Sequence, residues 1–267
     1  MNERYIHGHH ESVLRSHSWR TVENSAAYLI PHLRPGLDLL DVGSGPGTIS
    51  VDFAERLAPG TVHGIDAAAA IVDQATDLAQ SRELGNVQFT VDDAYALSFD
   101  DDSFDIAHAH QVLQHLARPV DALKEMARVV RPGGIVAARD VDYAGAIWYP
   151  LLPGLADWLR IYDAVHRAGG GEPDAGRRLR AWAHAAGLTD VVSTASIWGF
   201  ASDADRAWWG GLWADRALHS EFAKQAIDGG HATQEVLERI SAAWKQWAEE
   251  PDGWFSFPHG EMIARVG

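Results

Sequence analysis

The stretch LLDVGSGPGTIS, residues 39–50, joins an apolar run to three closely spaced glycines, Gly43, Gly45 and Gly47. This pattern predicts a strand, a glycine-rich loop and a helix that begins near Pro46. Glycine adopts positive φ at little cost and lets a ligand approach the backbone closely. The N–H groups of the loop and of the helix start can bind a carboxylate or a phosphate. The stretch therefore predicts either a ligand-binding loop or a tight turn that packs the helix against the strand.

Apolar runs alternate with helical patterns on both sides of this loop. The alternation predicts βαβ crossovers and hence a parallel sheet covered on both faces, the Rossmann-like doubly wound α/β class. In such a sheet, ligands bind at the carboxyl ends of the strands. The predicted strands are 37–42, 61–66, 87–91, 104–110 and 135–141, and the predicted helices are 11–33, 46–58, 68–84 and 119–130.

The second half of the chain has a different composition. Ten of the eleven tryptophans lie after residue 142. This shift indicates a regular scaffold followed by a helical, aromatic elaboration. Here the sequence predicts helices near 153–168 and 174–187 and within 203–250, and strands at 190–198 and 254–266.

The composition excludes several classes of site and partner. The chain has no cysteine, which excludes disulfides, thiolate zinc sites and a cysteine nucleophile. Its formal net charge of −15 makes nucleic acid an unfavourable partner, because an acidic surface repels phosphate backbones. There is no run of about 18 apolar residues and no signal peptide, so we expect no membrane partner and a cytoplasmic location. The HGHH stretch at 7–10 is interpreted as a polar arm, and no metal site is predicted.

Two acidic residues follow the next two predicted strands. Asp66 ends the second strand, 19 residues after Gly47, where a carboxylate can accept hydrogen bonds from both hydroxyls of an adenosine ribose. Asp93 follows the third strand and can accept from an adenine amino group, while the Ala94 N–H can donate to the ring. Asp93 taken alone is equally consistent with a surface acid. Together with the loop, these strand ends predict a site for a cofactor that contains adenosine.

Two cofactors meet this description, a dinucleotide and S-adenosylmethionine. The dinucleotide loop has the pattern G-x-G-x-x-G, whereas here the third glycine comes one residue early and Thr48 stands in the final position. Asp41, just before the loop, suits an ammonium group and would repel a pyrophosphate. Both features favour the amino acid tail of S-adenosylmethionine. A nicotinamide-dependent oxidoreductase is the alternative.

The stretch 37–140 resembles a class I S-adenosylmethionine-dependent methyltransferase. It is similar in particular to the ubiquinone and menaquinone biosynthesis C-methyltransferases and to related small-molecule methyltransferases of secondary metabolism. The matching stretches are LLDVGSGPG with Asp66, then DDAYALSFDDDSFDIAHAHQVLQHL, and EMARVVRPGG. The cofactor-binding residues that this resemblance implies are Asp41, Gly43, Ser44, Gly45, Gly47, Asp66, Ala67, Asp93, Ala94, His110 and Gln111.

The resemblance also implies an architecture and an activity. We expect a seven-stranded sheet with a C-terminal antiparallel hairpin, and methyl transfer to O, C or N of a small apolar or aromatic metabolite. A catalytically inactive protein that binds the cofactor is the non-enzyme alternative. Cap aromatics such as Trp208 and Trp213 either stack on a planar substrate or form the core of the cap itself. The implied single domain comprises a helical arm (1–36), a cofactor-binding core (37–142), cap insertions (143–172 and 201–250) and segments that complete the sheet (173–200 and 251–267).

No universal catalytic motif is expected for this reaction. Methyl transfer from a sulfonium is an in-line displacement, so the protein aligns the reactants and supplies a base only where the nucleophile must lose a proton. His110, at the end of the fourth strand, is either such a base or part of the cofactor wall. Asp140 and Asp142 end the fifth strand and could bind or deprotonate the substrate. His17 on the leading helix could reach the site from above, and His115 is interpreted as a structural hydrogen-bonding residue.

Overall fold

The computed structural model describes residues 19–267. Its first elements are a short helix, α1 (Val22–Ser25), and a 3₁₀ turn at Ala27–His32. The sequence predicts one long helix over 11–33 instead, of which 11–18 lies outside the described residues. The break follows from Ala26, whose φ of −138° is not helical, and from Pro31, which has no N–H to donate to a preceding turn.

The later elements follow the predicted order with small shifts at their ends. The strands are β1 (Leu39–Val42), β2 (Val62–Asp66), β3 (Val87–Val91), β4 (Phe104–His110), β5 (Val130–Val141), β6 (Ile147–Tyr149), β7 (Thr189–Phe200) and β8 (Trp254–Arg265). The helices are α2 (Thr48–Leu57), α3 (Ala69–Ser81), α4 (Pro119–Arg128), α5 (Pro153–Ala168), α6 (Leu179–Ala185), α7 (Asp203–His219), α8 (Glu221–Asp228) and α9 (Gln234–Glu249).

These strands form one mixed sheet. Strands β3, β2, β1, β4 and β5 lie side by side and parallel. Strand β8 is antiparallel to β5 on one edge and to β7 on the other, which confirms the predicted C-terminal hairpin. Strand β6 is not among the strands predicted from the sequence. With it, the sheet has eight strands, and the predicted number of seven is wrong. Phe255 and Ser256 of β8 pair with both β6 and β7, so β6 prolongs the edge of β8 that β5 occupies.

The central parallel strands are buried because helices cover both faces, whereas the edge strand β3 is buried only at Val87. All four residues of β1 are buried, and β4 is buried except at Asp105. One hydrophobic cluster joins one face to α4 and α6, and another joins the opposite face to α2 and the leading segment. This double coverage accounts for the continuous apolar runs that indicated a parallel sheet.

The cap has a hydrophobic core of its own. Helices α5, α7, α8 and α9 pack together, and four tryptophans are fully buried among them, namely Trp158, Trp213, Trp244 and Trp247. Trp208 is partly buried against the same cluster. None of these tryptophans lines the cavity described below. Of the two alternatives for the cap aromatics, the structure therefore shows the one in which they form the core of the cap. Within residues 19–267, no helix is long and apolar enough to span a bilayer.

Candidate active site

A cavity of about 410 Å³ lies at the carboxyl ends of β1, β2 and β4. Its loop side, formed after β1, β2 and β3, contains Asp41, Gly43, Ser44, Gly45, Asp66, Ala67, Asp92 and Ala94. Its histidine side, formed after β4 and by the leading segment, contains His110, Gln111, Val112, His115 and Arg20. The cavity therefore brings most of the predicted cofactor residues together.

The glycine loop is shaped by its protein neighbours as well as by the cavity. Gly43 and Gly47 have φ values of +67° and +83°. A Cβ on Gly43 would lie 2.4 Å from a methyl group of Val112, and one on Gly47 would lie 2.9 Å from the Cβ of Ala75. Gly47 does not line the cavity. Its role as a cofactor residue stays a prediction, while its lack of a side chain allows α2 to pack against α3.

Asp66 ties the loop to the next helix. Its carboxylate accepts hydrogen bonds from the Gly45 N–H at 3.2 Å and from the Ala68 N–H at 3.0 Å. The same carboxylate lies in the cavity wall. It is therefore held in place by two backbone donors while it faces the space where a ligand would bind.

Asp41 is buried and already bonded within the protein. One carboxylate oxygen accepts from the Ser50 hydroxyl at 2.6 Å, and the other accepts from Nδ1 of His108 at 2.8 Å. Asp41 nevertheless lines the cavity, so its negative charge acts on whatever binds there. Its contact with an ammonium group stays a prediction.

The end of β3 differs in detail from the expected arrangement. Ala94 lines the cavity, but its acidic neighbour in the wall is Asp92 and not Asp93. The exposed Asp93 carboxylate accepts from the Tyr95 N–H at 2.9 Å, while Asp92 accepts from the Ser98 N–H and hydroxyl. The assignment of Asp93 to an adenine amino group stays a prediction, and Asp92 is the carboxylate that the cavity contains.

His110 ends β4 in the wall of the cavity. It is 4% exposed, and neither ring nitrogen has a hydrogen-bond partner among the described residues. Burial first, and then the positive charges of Arg20 and Arg139, hold the pKa of His110 well below its usual value. The imidazole is therefore neutral at pH 7, with one ring nitrogen a donor and the other an acceptor, and both nitrogens are buried.

Gln111 joins three distant parts of the chain on the histidine side. Its φ of +54° lies in the left-handed region, where a residue other than glycine is strained and often has a functional role. Its Oε1 accepts from Nη2 of Arg20 at 2.6 Å, and its Nε2 donates to Nε2 of His259 at 2.8 Å. The ring of His259 in turn lies 4.4 Å from that of Trp198. Sequence reasoning missed His259 and Trp198, because only the pairing of β7, β8 and β5 places them here.

The remaining candidate residues differ in whether they line the cavity. Asp142 does not line the cavity, because Arg177 binds its carboxylate through two nitrogens. Its role as a catalytic residue stays a prediction. Asp140 is fully buried outside the wall. His115 lines the cavity and its ring stacks on that of His166 at 5.0 Å. His17 lies outside the described residues.

The wall fits the methyl donor better than it fits a dinucleotide. Asp41, Asp66 and Asp92 line the cavity together with Arg20. Three carboxylates and one guanidinium favour a ligand with cationic groups over one with a pyrophosphate. The buried hydroxyl of Ser44 has no partner among the described residues, so a polar ligand atom can bond it. The residues present therefore fit S-adenosylmethionine, whose sulfonium and ammonium groups are positive.

Comparison with known proteins agrees with this geometry. Residues 33–187, more than half of the chain, match a family model described as a methyltransferase domain. An uncharacterized methyltransferase of Schizosaccharomyces pombe is 34% identical over 267 residues, which cover 97% of this chain and 95% of that protein. The ubiquinone/menaquinone biosynthesis C-methyltransferase of Bdellovibrio bacteriovorus is 35% identical over 122 residues, 45% of this chain and 49% of that enzyme.

A solved structure shows the same fold. The YcgJ protein of Bacillus subtilis superposes with a TM-score of 0.60 at 21% identity, covering 91% of this chain and 98% of that chain. The family is assigned from the domain match and from the S. pombe protein, which is 34% identical over nearly the full length of this chain. They show that this chain belongs to the methyltransferase domain family and is an S-adenosylmethionine-dependent methyltransferase.

Proposed function

We propose that this protein methylates a small apolar or aromatic molecule that carries a hydroxyl group, and that His110 accepts the hydroxyl proton. The donor, when bound, supplies a methyl group activated by its sulfonium. The methyl group goes to the hydroxyl oxygen or to a ring carbon that this hydroxyl activates. A single observation carries the proposal, namely a buried, neutral imidazole in the cavity wall with both nitrogens unbonded among the described residues.

The environment of His110 supports a role as a proton acceptor. A base must be unprotonated at the working pH and within hydrogen-bond reach of its proton. Burial and the charges of Arg20 and Arg139 support the first condition, and the proposal assigns the second to a substrate bound in the cavity that His110 lines. As the acceptor atom attacks, a ring nitrogen takes up the proton and later releases it to solvent. The nearby guanidiniums favour this release, because they disfavour a charged imidazole.

The donor is proposed to bind along the loop side. Asp66 would accept from the ribose hydroxyls, and the Ala94 N–H would donate to the adenine ring, with Asp93 or Asp92 accepting from its amino group. The loop N–H groups and the Ser44 hydroxyl would bind the donor carboxylate. The proposed donor residues are Asp41, Gly43, Ser44, Gly45, Asp66, Ala67, Asp93, Ala94, His110 and Gln111.

Two measurements test the function. Calorimetric titration with S-adenosylhomocysteine measures donor-site binding. Incubation with labelled S-adenosylmethionine and a panel of phenols, hydroquinones, indoles and amines, followed by mass spectrometry, locates the transferred methyl.

The variant His110→Gln is compared with His184→Gln, which changes an exposed histidine on α6 in the same way. We expect binding, methylation of hydroxyl-bearing compounds, and loss of turnover in the first variant alone.

Each other outcome has a definite meaning. No binding at millimolar S-adenosylhomocysteine would contradict the donor assignment. Methylation of amines alone would contradict the hydroxyl acceptor. Binding without turnover on the whole panel would favour the inactive, cofactor-binding alternative.

A further inference from the structure

Asp140 is a buried acid near the end of β5 that the proposed chemistry does not use. In the sheet it pairs with Gly260 of β8, whereas the preceding residue, Arg139, pairs with His110 and Glu261. Because successive strand residues face opposite sides, Asp140 lies on the face away from His110. It is fully buried and does not line the cavity.

The Asp140 carboxyl holds a short turn that forms part of the cavity wall. One oxygen accepts from the Gln114 N–H at 3.3 Å, within the 3₁₀ turn Leu113–His115. Val112, just before the turn, packs against Gly43 of the glycine loop. Val112 and His115 both line the cavity. The position of the turn therefore determines how closely this wall meets the loop side.

The cap holds the same residue, Gln114, through its carbonyl group. The carbonyl oxygen of Gln114 accepts from Nε2 of His166 on α5 at 2.9 Å and from the Glu172 N–H at 2.8 Å. The turn is thus fixed from two directions, by Asp140 of the sheet and by the cap. Loss of the bond from Asp140 leaves the turn held by the cap contacts and by the buried side chain of Leu113.

Two glycines allow the 3₁₀ turn at Ala175–Arg178 to lie directly against the backbone of Asp140. A Cβ on Gly176 would lie 2.7 Å from the Asp140 carbonyl oxygen and 2.6 Å from the Gly260 nitrogen. A Cβ on Gly260 would in turn overlap the backbone of Gly176. The 3₁₀ turn at Ala175–Arg178 therefore covers the end of β5 directly.

The burial of Asp140 determines whether its carboxyl group is charged. Burial raises the pKa of Asp140 to about 8, against the backbone N–H groups of Gln114 and Leu113 and the positive charges of Arg139 and Arg20. The histidines beside the turn, His115 and His166, are neutral because burial lowers the pKa of each, to about 4 for His166. The charged side chains near the covering turn form ion pairs, Asp142 with Arg177, and Glu172 and Asp174 with Arg167 and Arg178. The second carboxyl oxygen has no partner among the described residues.

The geometry points to Asp140 as a positioning residue for donor binding: it holds the turn Leu113–His115 so that this wall closes against the glycine loop. Asp140 acts through the turn and makes no contact with the donor. The inference rests on the proposed donor site. It also predicts that ionisation of the enclosed carboxyl loosens the wall, because a buried charge draws in water.

The test is the affinity for S-adenosylhomocysteine at pH 7 and pH 9 in the wild type, Asp140→Asn and Asp140→Leu. If only the protonated carboxyl holds the closed wall, wild-type affinity falls about tenfold between these pH values. Asp140→Asn keeps an oxygen for the Gln114 N–H and cannot ionise, so it should lack this fall. The ligand's own amine titrates equally in both proteins, which leaves their ratio as the readout. Asp140→Leu, which lacks the oxygen, should bind more weakly at both pH values.

A matched control comes from the same strand end. Asp142→Asn removes a neighbouring acid that does not hold the turn, so it should keep the wild-type pH dependence. Parallel affinity curves for the wild type and Asp140→Asn would overturn the inference, whereas absence of binding in the wild type at pH 7 would instead overturn the proposed function.

Hydrogen exchange of the peptide that spans 111–117 tests the turn without any ligand. It should be faster in Asp140→Leu than in Asp140→Asn, and equal exchange in folded proteins would also overturn the inference. If the Leu variant does not fold, the wild type itself provides the comparison, since exchange corrected for its intrinsic pH dependence should rise above pH 8 only where Asp140 ionises.

Discussion

The two sides of the cavity are assembled in different ways. On the loop side, each wall residue follows its own strand within a few positions, as Asp66 and Ala94 do. On the histidine side, Gln111 bonds Arg20 and His259, which lie 91 and 148 positions away in the chain. Donor recognition is therefore encoded locally, whereas the proposed acceptor chemistry depends on how the whole sheet and the leading segment come together.

The comparison predicts that changes on the histidine side affect turnover more than donor affinity. His110→Gln removes the proposed proton acceptor, and we expect methyl transfer to slow by about 10²–10⁴-fold. Affinity for S-adenosylhomocysteine should fall by a much smaller factor than the rate, because His110 is only one of the residues proposed to bind the donor. Single-turnover rates and calorimetry on the same preparation check both parts. A variant that loses donor affinity but not turnover would reverse the roles of the two sides.

The pH profile gives a second view of the same residue. Because the pKa of His110 lies well below its usual value, the ring remains unprotonated as the pH falls through 6.5. The wild-type rate of methyl transfer should therefore stay level through this range and decline only at lower pH. A decline centred near pH 6.5 would show that His110 is not held neutral by its surroundings.

The cap should affect stability without affecting donor binding. Trp244 is fully buried in the cap core, so Trp244→Ala should lower the free energy of unfolding by about 3–5 kcal/mol. Trp254→Ala is the control, because that side chain is 40% exposed. Urea unfolding measures the loss. Donor affinity of the folded variant should be unchanged, and a large loss of affinity would show that the cap core and the loop side are coupled.

Asp66, unlike the cap core, should affect donor binding. Asp66→Ala removes the carboxylate proposed to bind the ribose and should weaken S-adenosylhomocysteine binding by about 1–3 kcal/mol. Asp73→Ala, an exposed change on α3, provides the matched control and should bind as the wild type does. Unchanged affinity in Asp66→Ala would show that its role is limited to tying Gly45 to Ala68.

The last expected effect, on stability at Asp140, accumulates gradually with pH. Between pH 3.8 and about 8, the folded protein keeps a proton on this carboxyl that the unfolded chain has lost, so wild-type stability falls as the pH rises. Asp140→Asn lacks this dependence. The free energy of unfolding of the variant relative to the wild type should increase by at most about 1.4 kcal/mol per pH unit and level off above pH 8. Urea titrations at a series of pH values measure the slope, and a constant difference would contradict the raised pKa.

Much of the scaffold could be predicted because its signals are local. The alternation of apolar runs and helices predicted the parallel core, and the spacing of the glycines predicted the loop after β1. The same locality limits what the pattern says about single residues. Gly47 follows the pattern of its neighbours, but only the structure shows that a Cβ there would meet Phe89 and Ala75.

The histidine side could be predicted only in part, for a physical reason. His259 enters the site through the register of β8 with β5 and β7, which no short stretch of sequence specifies. The left-handed backbone conformation of Gln111 could not be predicted, because glycine, the usual sequence signal for positive φ, is absent at this position. Strand β6 has three residues and exists through pairing with β8, so its own pattern is too short to detect.

The position of β8 has a consequence for the order of folding. This strand follows every other strand in sequence, yet it lies between β5 and β7 and carries His259. In a chain that emerges from the ribosome N-terminus first, β1 to β5 are available for pairing long before Trp254–Arg265 is made. The loop side can therefore take shape early, whereas the histidine side is completed only by the last strand. A nascent chain should gain its proposed donor site before it gains the surroundings of its proposed base.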